Sequence, residues 1–216
     1  MFWSCFWNWF TKITAWPAQF FCFRTKIHYE DRAVQGRMIK GPAIIISNHT
    51  SVFDYAVYLF VFWSRTLRVQ MAELLFEKKP LGWLLRLLGG IRVDRNSFDF
   101  GFVEKSCRIL KKGGVVGIFP ESRIPRPEES RPLPFKTSAA FTALRAEVPV
   151  IPVVTNGSYF NFKKRAEVLI GKPMNVQEFL SDDCSEKENI ARVNDAMRDR
   201  VIDLMKELEK RSREKA

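Results

Sequence analysis

The chain has 216 residues, enough for one domain with a sizeable core, and 46% of them are hydrophobic, which excludes a disordered chain. A formal net charge of +11 directs it toward anionic partners, whether nucleic acid, an anionic membrane face or phosphorylated substrates. Its four cysteines (Cys5, Cys22, Cys107, Cys184) form no CxxC pair, so no metal site and no disulfide framework is expected, and the thiols should be reduced.

Residues 1–23, MFWSCFWNWFTKITAWPAQFFCF, hold four of the six tryptophans and a single charge, Lys12. A basic start and a small-residue cleavage site are both missing, which argues against a signal peptide. Asn8, Thr11, Lys12, Thr14, Pro17 and Gln19 interrupt what would otherwise be long enough to span a bilayer. Trp3, Phe6, Trp7, Phe10 and Ile13 recur at helical spacing, with Ser4, Asn8, Thr11 and Lys12 off that stripe. The favoured arrangement is an amphipathic helix lying in the membrane interface, where tryptophan rings sit at the headgroup level. The competing one is an aromatic helix packed on the protein's own core. The division expected is therefore a membrane-interface segment over residues 1–27 and an α/β domain over 28–216.

From there strands and helices alternate. Residues 43–47 read as a short buried strand, 54–63 as an apolar helix and 67–72 as a second strand. A short helix over 80–88 leads through Gly89-Gly90 to a strand at 91–93. Residues 100–110 are helical in pattern, and Gly113-Gly114 stop them. A strand at 115–119 runs into a proline-rich charged loop, 120–134, then a helix over 135–145 and strands at 148–155 and 166–170. Residues 186–216 form a charged helix with Ile190, Val193, Met197, Val201, Leu204 and Leu208 on one face. Such alternation predicts an α/β fold, a largely parallel sheet flanked by helices. Sites in these sheets lie beyond the carboxyl ends of strands. Residues 48–54, 90–95 and 120–123 all follow apolar strands.

The first of these is Asn48-His49-Thr50-Ser51-Val52-Phe53-Asp54, and it holds one of only two histidines. A neutral imidazole takes a proton near neutral pH, and a carboxylate on its other nitrogen fixes the tautomer and stabilises the cation. Asp54 fits that part if it lies in the first turn of the following helix. Ser51-x-x-Asp54 also fits a capping box, which competes for the same carboxylate.

This segment resembles the NHxxxxD signature of the glycerolipid acyltransferases, the family of 1-acylglycerol-3-phosphate acyltransferases. Other blocks follow in the family's order. Residues 90–95, Gly90-Ile91-Arg92-Val93-Asp94-Arg95, look like its second block, and Phe119-Pro120-Glu121 opens like its third, FPEGTRS. Phe135-Lys136 resembles the lysine-bearing segment after it, and residues 148–153 its fourth block. The likeness covers about residues 40–175.

The resemblance implies that His49 is the general base on an acceptor hydroxyl and that Asp54 orients it. The hydroxyl would then attack the thioester of acyl-CoA or acyl-carrier protein, a co-substrate rather than a cofactor, with no protein nucleophile. It further implies phosphate binding by the second and third blocks around Gly90, with Arg95 on the phosphate and Glu121 holding the acceptor or an arginine. Arg92, Lys105, Arg123 and Lys136 are further cationic candidates, each also readable as a solvated surface charge. The expected product is phosphatidic acid, made at the cytoplasmic face of an anionic membrane by a peripheral or monotopic protein.

One departure bears on the acceptor. The family's FPEGTRS is here Phe119-Pro120-Glu121-Ser122-Arg123-Ile124-Pro125, with serine for glycine and the arginine one position early. Glycerol 3-phosphate, another lysophospholipid or an aminolipid remain alternatives within the same chemistry. A basic nucleic-acid or membrane-binding module is the non-catalytic alternative. No recognition helix, RNP-like strand or glycine-rich phosphate loop supports nucleic acid as a partner.

Overall fold

Period-two alternation in the strands builds both halves of the core. The structure is a computed structural model and describes residues 2–94, 100–161 and 164–214. Its strands are β1 (Lys26–Tyr29), β2 (Ala43–Ser47), β3 (Leu67–Ala72), β4 (Ile91–Val93), β5 (Val115–Ile118), β6 (Val150–Thr155) and β7 (Glu167–Ile170). They hydrogen-bond in the order β1-β7-β6-β2-β5-β3-β4, and every pairing is parallel except β6 with β7. Along β2, Ile44 and Ile46 join Val116, Ile118 and Val150 in one apolar cluster. Ala43 and Ile45 join Val115, Ile151 and Val153 in the other.

The helices are α1 (Phe2–Thr14), α2 (Trp16–Ala18), α3 (Asp54–Val61), α4 (Glu73–Glu77), α5 (Leu81–Leu87), α6 (Gly101–Lys111), α7 (Ser138–Ala146) and α8 (Glu186–Arg213), with a π-helical turn at Gln19–Phe23. Residues of α6, α7 and α8 close the first cluster, and Phe23 with residues of α3 close the second. A capping box between Ser185 and Glu188 starts α8, which buries Val193, Met197, Val201, Leu204 and Leu208 as their spacing predicts. The α/β class and the largely parallel sheet stand as expected.

Local differences have physical causes. Strand β1 spans the expected boundary after residue 27 and pairs with β7, so the sheet begins before the expected α/β domain. The helix expected over 135–145 starts instead at Ser138. The Lys136 N–H donates to Pro120 O at 2.9 Å and ties the chain to the preceding loop. Helix α4, five residues long, carries too little periodicity to be read.

Helix α1 is amphipathic, but its polar stripe faces inward. Asn8 Nδ2 donates to Leu88 O at 3.2 Å. Lys12 Nζ donates to Trp63 O at 3.0 Å and Arg65 O at 2.6 Å, satisfying carbonyls just beyond the end of α3. Ser4 Oγ accepts from Arg68 at 2.9 Å. Asn8 and Lys12 are buried, whereas Trp3, Phe6, Phe10 and Ile13 are 69%, 49%, 48% and 71% exposed. That outward stripe excludes own-core packing for these four side chains, whereas Trp7, the fifth residue of the expected stripe, is half-buried with its ring centroid 6.1 Å from that of Trp83. Trp16, Phe20 and Phe21 extend the exposed aromatic surface. Among the described residues, no helix is long and apolar enough to cross a membrane.

Candidate active site

The site begins where β2 runs out. Asn48 Nδ2 donates to Thr155 O and Asn48 Oδ1 accepts from Thr155 N–H, both at 2.9 Å. The side-chain amide thus serves as one more rung between β2 and β6 and fixes where the chain leaves the sheet. His49 follows directly, beyond the carboxyl end of β2. Its backbone N–H donates to Glu121 Oε1 at 2.8 Å, and the other oxygen of Glu121 accepts from Leu133 N–H at 2.8 Å. Glu121 is buried, and that burial pushes its carboxyl pKa upward against the two hydrogen bonds. The His49 ring stacks on Phe119 with centroids 4.4 Å apart, and Phe119 in turn stacks on Tyr58.

Asp54 heads α3 and is completely buried. Its Oδ2 lies 2.8 Å from His49 Nδ1 and accepts from the N–H groups of Thr50 at 2.7 Å and Ser51 at 3.0 Å. Its Oδ1 accepts from Thr50 Oγ1 at 2.8 Å and from Tyr159 Oη at 2.7 Å. The capping box read from Ser51 and Asp54 does not form in full. The Asp54 N–H donates to the Ser51 carbonyl at 3.1 Å, and the Ser51 hydroxyl accepts from Phe53 N–H. Only the bond from Ser51 N–H to the Asp54 carboxylate, which also holds the imidazole, remains of it. With the proton on Nδ1 facing Asp54, Nε2 keeps its lone pair. The ring borders a cavity of about 200 Å³, lined largely by apolar side chains that include Val52, Tyr55, Leu75, Leu85 and Phe119. This arrangement can take a proton from a hydroxyl presented beside an apolar chain.

The cationic candidates are more scattered. Arg123 makes a two-pronged pair with Glu129, 2.6 Å on each side, on the exposed loop. The Arg123 guanidinium holds the Glu129 carboxyl down at about 2. Arg92 pairs with Glu73 at 3.2 Å. Lys105 Nζ reaches Gly90 O at 3.5 Å, and burial lowers its pKa. Lys136 is exposed just before α7. Gly90 is packed so that a Cβ would sit 3.0 Å from Leu85 O. Arg95 lies outside the described residues. Ser122, in the place of the family glycine, holds a left-handed backbone at φ 62° and borders the cavity.

Sequence reasoning thus reached His49, Asp54 and Glu121, and the structure brings them together. Asn48 stood in the quoted motif without a role. Thr50, Thr155 and Tyr159 were not singled out, and for Tyr159 no motif signal exists, since it lies 105 residues from Asp54.

Comparison with known proteins gives the family. A human protein named 1-acyl-sn-glycerol-3-phosphate acyltransferase beta is 28% identical over 159 residues, which cover 71% of this chain and 56% of the relative. The chain therefore spans little more than half the length of that relative. The Bacillus subtilis protein named 1-acyl-sn-glycerol-3-phosphate acyltransferase is 27% identical over 139 residues, 62% of this chain and 67% of the relative. The crystal structure of the 1-acyl-sn-glycerophosphate acyltransferase PlsC from Thermotoga maritima shares the fold, with a TM-score of 0.63 at 21% identity. That match covers 92% of this chain and 78% of that one. The model of the family described as Acyltransferase matches residues 24–156, more than half of the sequence and including His49, Asp54 and Glu121, and the chain belongs to that family.

Proposed function

We propose that the protein transfers a fatty acyl group from acyl-CoA or acyl-carrier protein to the free hydroxyl of 1-acylglycerol 3-phosphate, giving phosphatidic acid. The observation that carries this reading is the His49–Asp54 pair, 2.8 Å apart, beside an apolar cavity in a chain of the acyltransferase family. His49 Nε2 takes the hydroxyl proton as the oxygen attacks the thioester carbonyl. The buried Asp54 carboxylate balances the imidazolium that forms. As the tetrahedral intermediate collapses, the thiolate leaves and His49 returns the proton to it. The apolar cavity suits an acyl chain, since burying each methylene contributes about 0.8 kcal/mol.

The acceptor follows the names of the relatives, and one observation favours a second acceptor. Arg123 is turned to Glu129, and Ser122 replaces the glycine of the third block, so the loop that would meet the acceptor phosphate differs from the family pattern. Another lysophospholipid, glycerol 3-phosphate or an aminolipid fits the same proton transfer. The exposed aromatic face of α1 supports peripheral seating on a membrane and the net charge of +11 favours an anionic one, and the reading places the protein at its cytoplasmic face.

The test is an acyl-transfer assay with both thioester donors against a panel of acceptors, run on the parent and on His49→Ala. Positioned general bases contribute on the order of 10² to 10⁴ in rate, and the variant should lose that much with its fold intact. Turnover by His49→Ala equal to the parent would overturn the mechanism, and preference for a non-phosphorylated acceptor would overturn the substrate.

A further inference from the structure

Behind the His49–Asp54 pair lies a second tier that no motif covers. Tyr159 sits in the loop after β6, and its hydroxyl is 2.7 Å from Asp54 Oδ1 and 3.1 Å from Thr155 Oγ1. The other donors to Asp54 come from residues 49–51, its own chain neighbours. Tyr159, by contrast, arrives from a distant part of the chain.

Tyr159 is held from several sides. Its N–H donates to Gly157 O at 2.9 Å, closing a tight turn, and Gly157 adopts φ 66°. A Cβ at Gly157 would come within 2.7 Å of Thr50, so this turn packs directly on the loop that carries His49. The Tyr159 ring meets Phe23 edge-on with centroids 5.6 Å apart. The next residue, Phe160, packs on both Phe23 and Phe53. Phe53 immediately precedes Asp54.

We propose that Tyr159 is a positioning residue of the active site: its hydroxyl fixes Asp54 Oδ1 and draws off part of the carboxylate charge, and in this way sets the proton affinity of His49. A hydrogen-bond donor on one carboxylate oxygen lowers the charge left to stabilise an imidazolium on the other. Burial and the neighbouring Asp54 charge push the Tyr159 phenol well above its ordinary range, so it stays a donor throughout the working pH range. Around the His49–Asp54 pair stand, among the described residues, Tyr55 and Tyr58 from α3, Glu121 with Arg131 behind it from the loop after β5, and Tyr159 from the loop after β6. Of the three tyrosines, each of which can lose a single oxygen while its ring keeps the packing, Tyr159 is the one whose hydroxyl meets the Asp54 carboxylate, whereas that of Tyr55 meets Leu67 O and that of Tyr58 meets Ser47 Oγ.

The inference rests on His49 as the base, and its test separates the two ideas. Tyr159→Phe retains the ring against Phe23 and removes the donor. The acid limb of kcat/KM against pH should then move up by about half to one pH unit, with KM for both substrates little changed. Replacing Tyr159 with 3-fluorotyrosine, a more acidic phenol and stronger donor, should move the limb the other way, and it serves if the Phe variant folds poorly. The same shifts should appear in the His49 imidazole signals by NMR titration without substrate, with His28 as the internal reference. An unmoved His49 titration in a folded variant overturns the proposal and marks Tyr159 as packing only. A moved titration with an unmoved kinetic limb supports the coupling and instead overturns His49 as the base.

Discussion

Replacing Glu121 with glutamine tests whether this carboxylate serves the substrate or the protein. Both of its oxygens are taken by backbone N–H groups, of His49 and Leu133, at 2.8 Å each. An amide of the same shape has one acceptor oxygen, so one of those N–H groups must face an NH₂. The loss is one charge-assisted hydrogen bond, about 1.5–3 kcal/mol, together with an orphaned buried donor. Removing the buried charge returns part of that, because burial already disfavours the ionised form. The net destabilisation of Glu121→Gln should be about 1–3 kcal/mol by urea unfolding. The raised pKa also sets a sign. Native Glu121 holds its proton to higher pH than the unfolded chain does, so its contribution to stability falls as pH rises above 4.5 through the native value. The glutamine variant should lack that slope. In kinetics, kcat should fall by about tenfold or more as the His49 backbone shifts, with the acceptor KM unchanged. A higher acceptor KM with stability and kcat intact would refute this reasoning and return Glu121 to direct acceptor binding.

Two further tests concern what holds the rest of the fold to the sheet. Lys12→Met removes the hydrogen bonds to Trp63 O and Arg65 O, and should cost about 2–4 kcal/mol and speed amide exchange in α1 while β2 and β6 keep their protection; unchanged exchange in α1 would show that its docking is apolar after all. Glu30 is held below the ordinary carboxylate range chiefly by the Arg200 hydrogen bond, so its stabilisation is present above pH 4.5 and is lost as pH falls through the lowered native value. Glu30→Gln should therefore be less stable than the parent by about 1 kcal/mol at pH 7 and equal to it in acid, and a deficit that persists at low pH would exclude the ion pair as its cause.

The sheet was legible because strands buried on both faces read as continuous apolar runs, as Ala43-Ile44-Ile45-Ile46 does. Strand β1 was not, since Lys26-Ile27-His28-Tyr29 carries one aliphatic residue in four and owes its place to pairing with β7. The reversed direction of β7 was equally hidden, because strand patterns encode faces and not orientation. Helix α1 makes the same point in three dimensions. Spacing told that Trp3, Phe6, Trp7, Phe10 and Ile13 share a stripe, but not that Trp7 turns from it toward Trp83, nor that the opposite stripe, Ser4, Asn8 and Lys12, is the one that docks. The partners of two cationic residues were hidden for another reason. A charge counted as free in the sequence is engaged when a carboxylate folds beside it, as Glu129 does for Arg123 and Glu73 for Arg92.

The motif letters themselves divide by the partners of their polar atoms. Asn48 uses its amide on Thr155, Glu121 uses both oxygens on backbone N–H groups, and Asp54 divides its two oxygens between loop donors, Tyr159 and the imidazole. Of the polar residues in NHxxxxD and FPE, His49 alone borders the cavity. Substituting any of the others should still lower kcat, because a base displaced by an ångström loses its reach to the hydroxyl. Loss of activity on substitution therefore cannot distinguish a residue that moves a proton from one that holds the residue that does. Stability, pH profile and the split between kcat and KM can, and on those measures Asn48 and Glu121 should behave as part of the sheet, and His49 as part of the reaction.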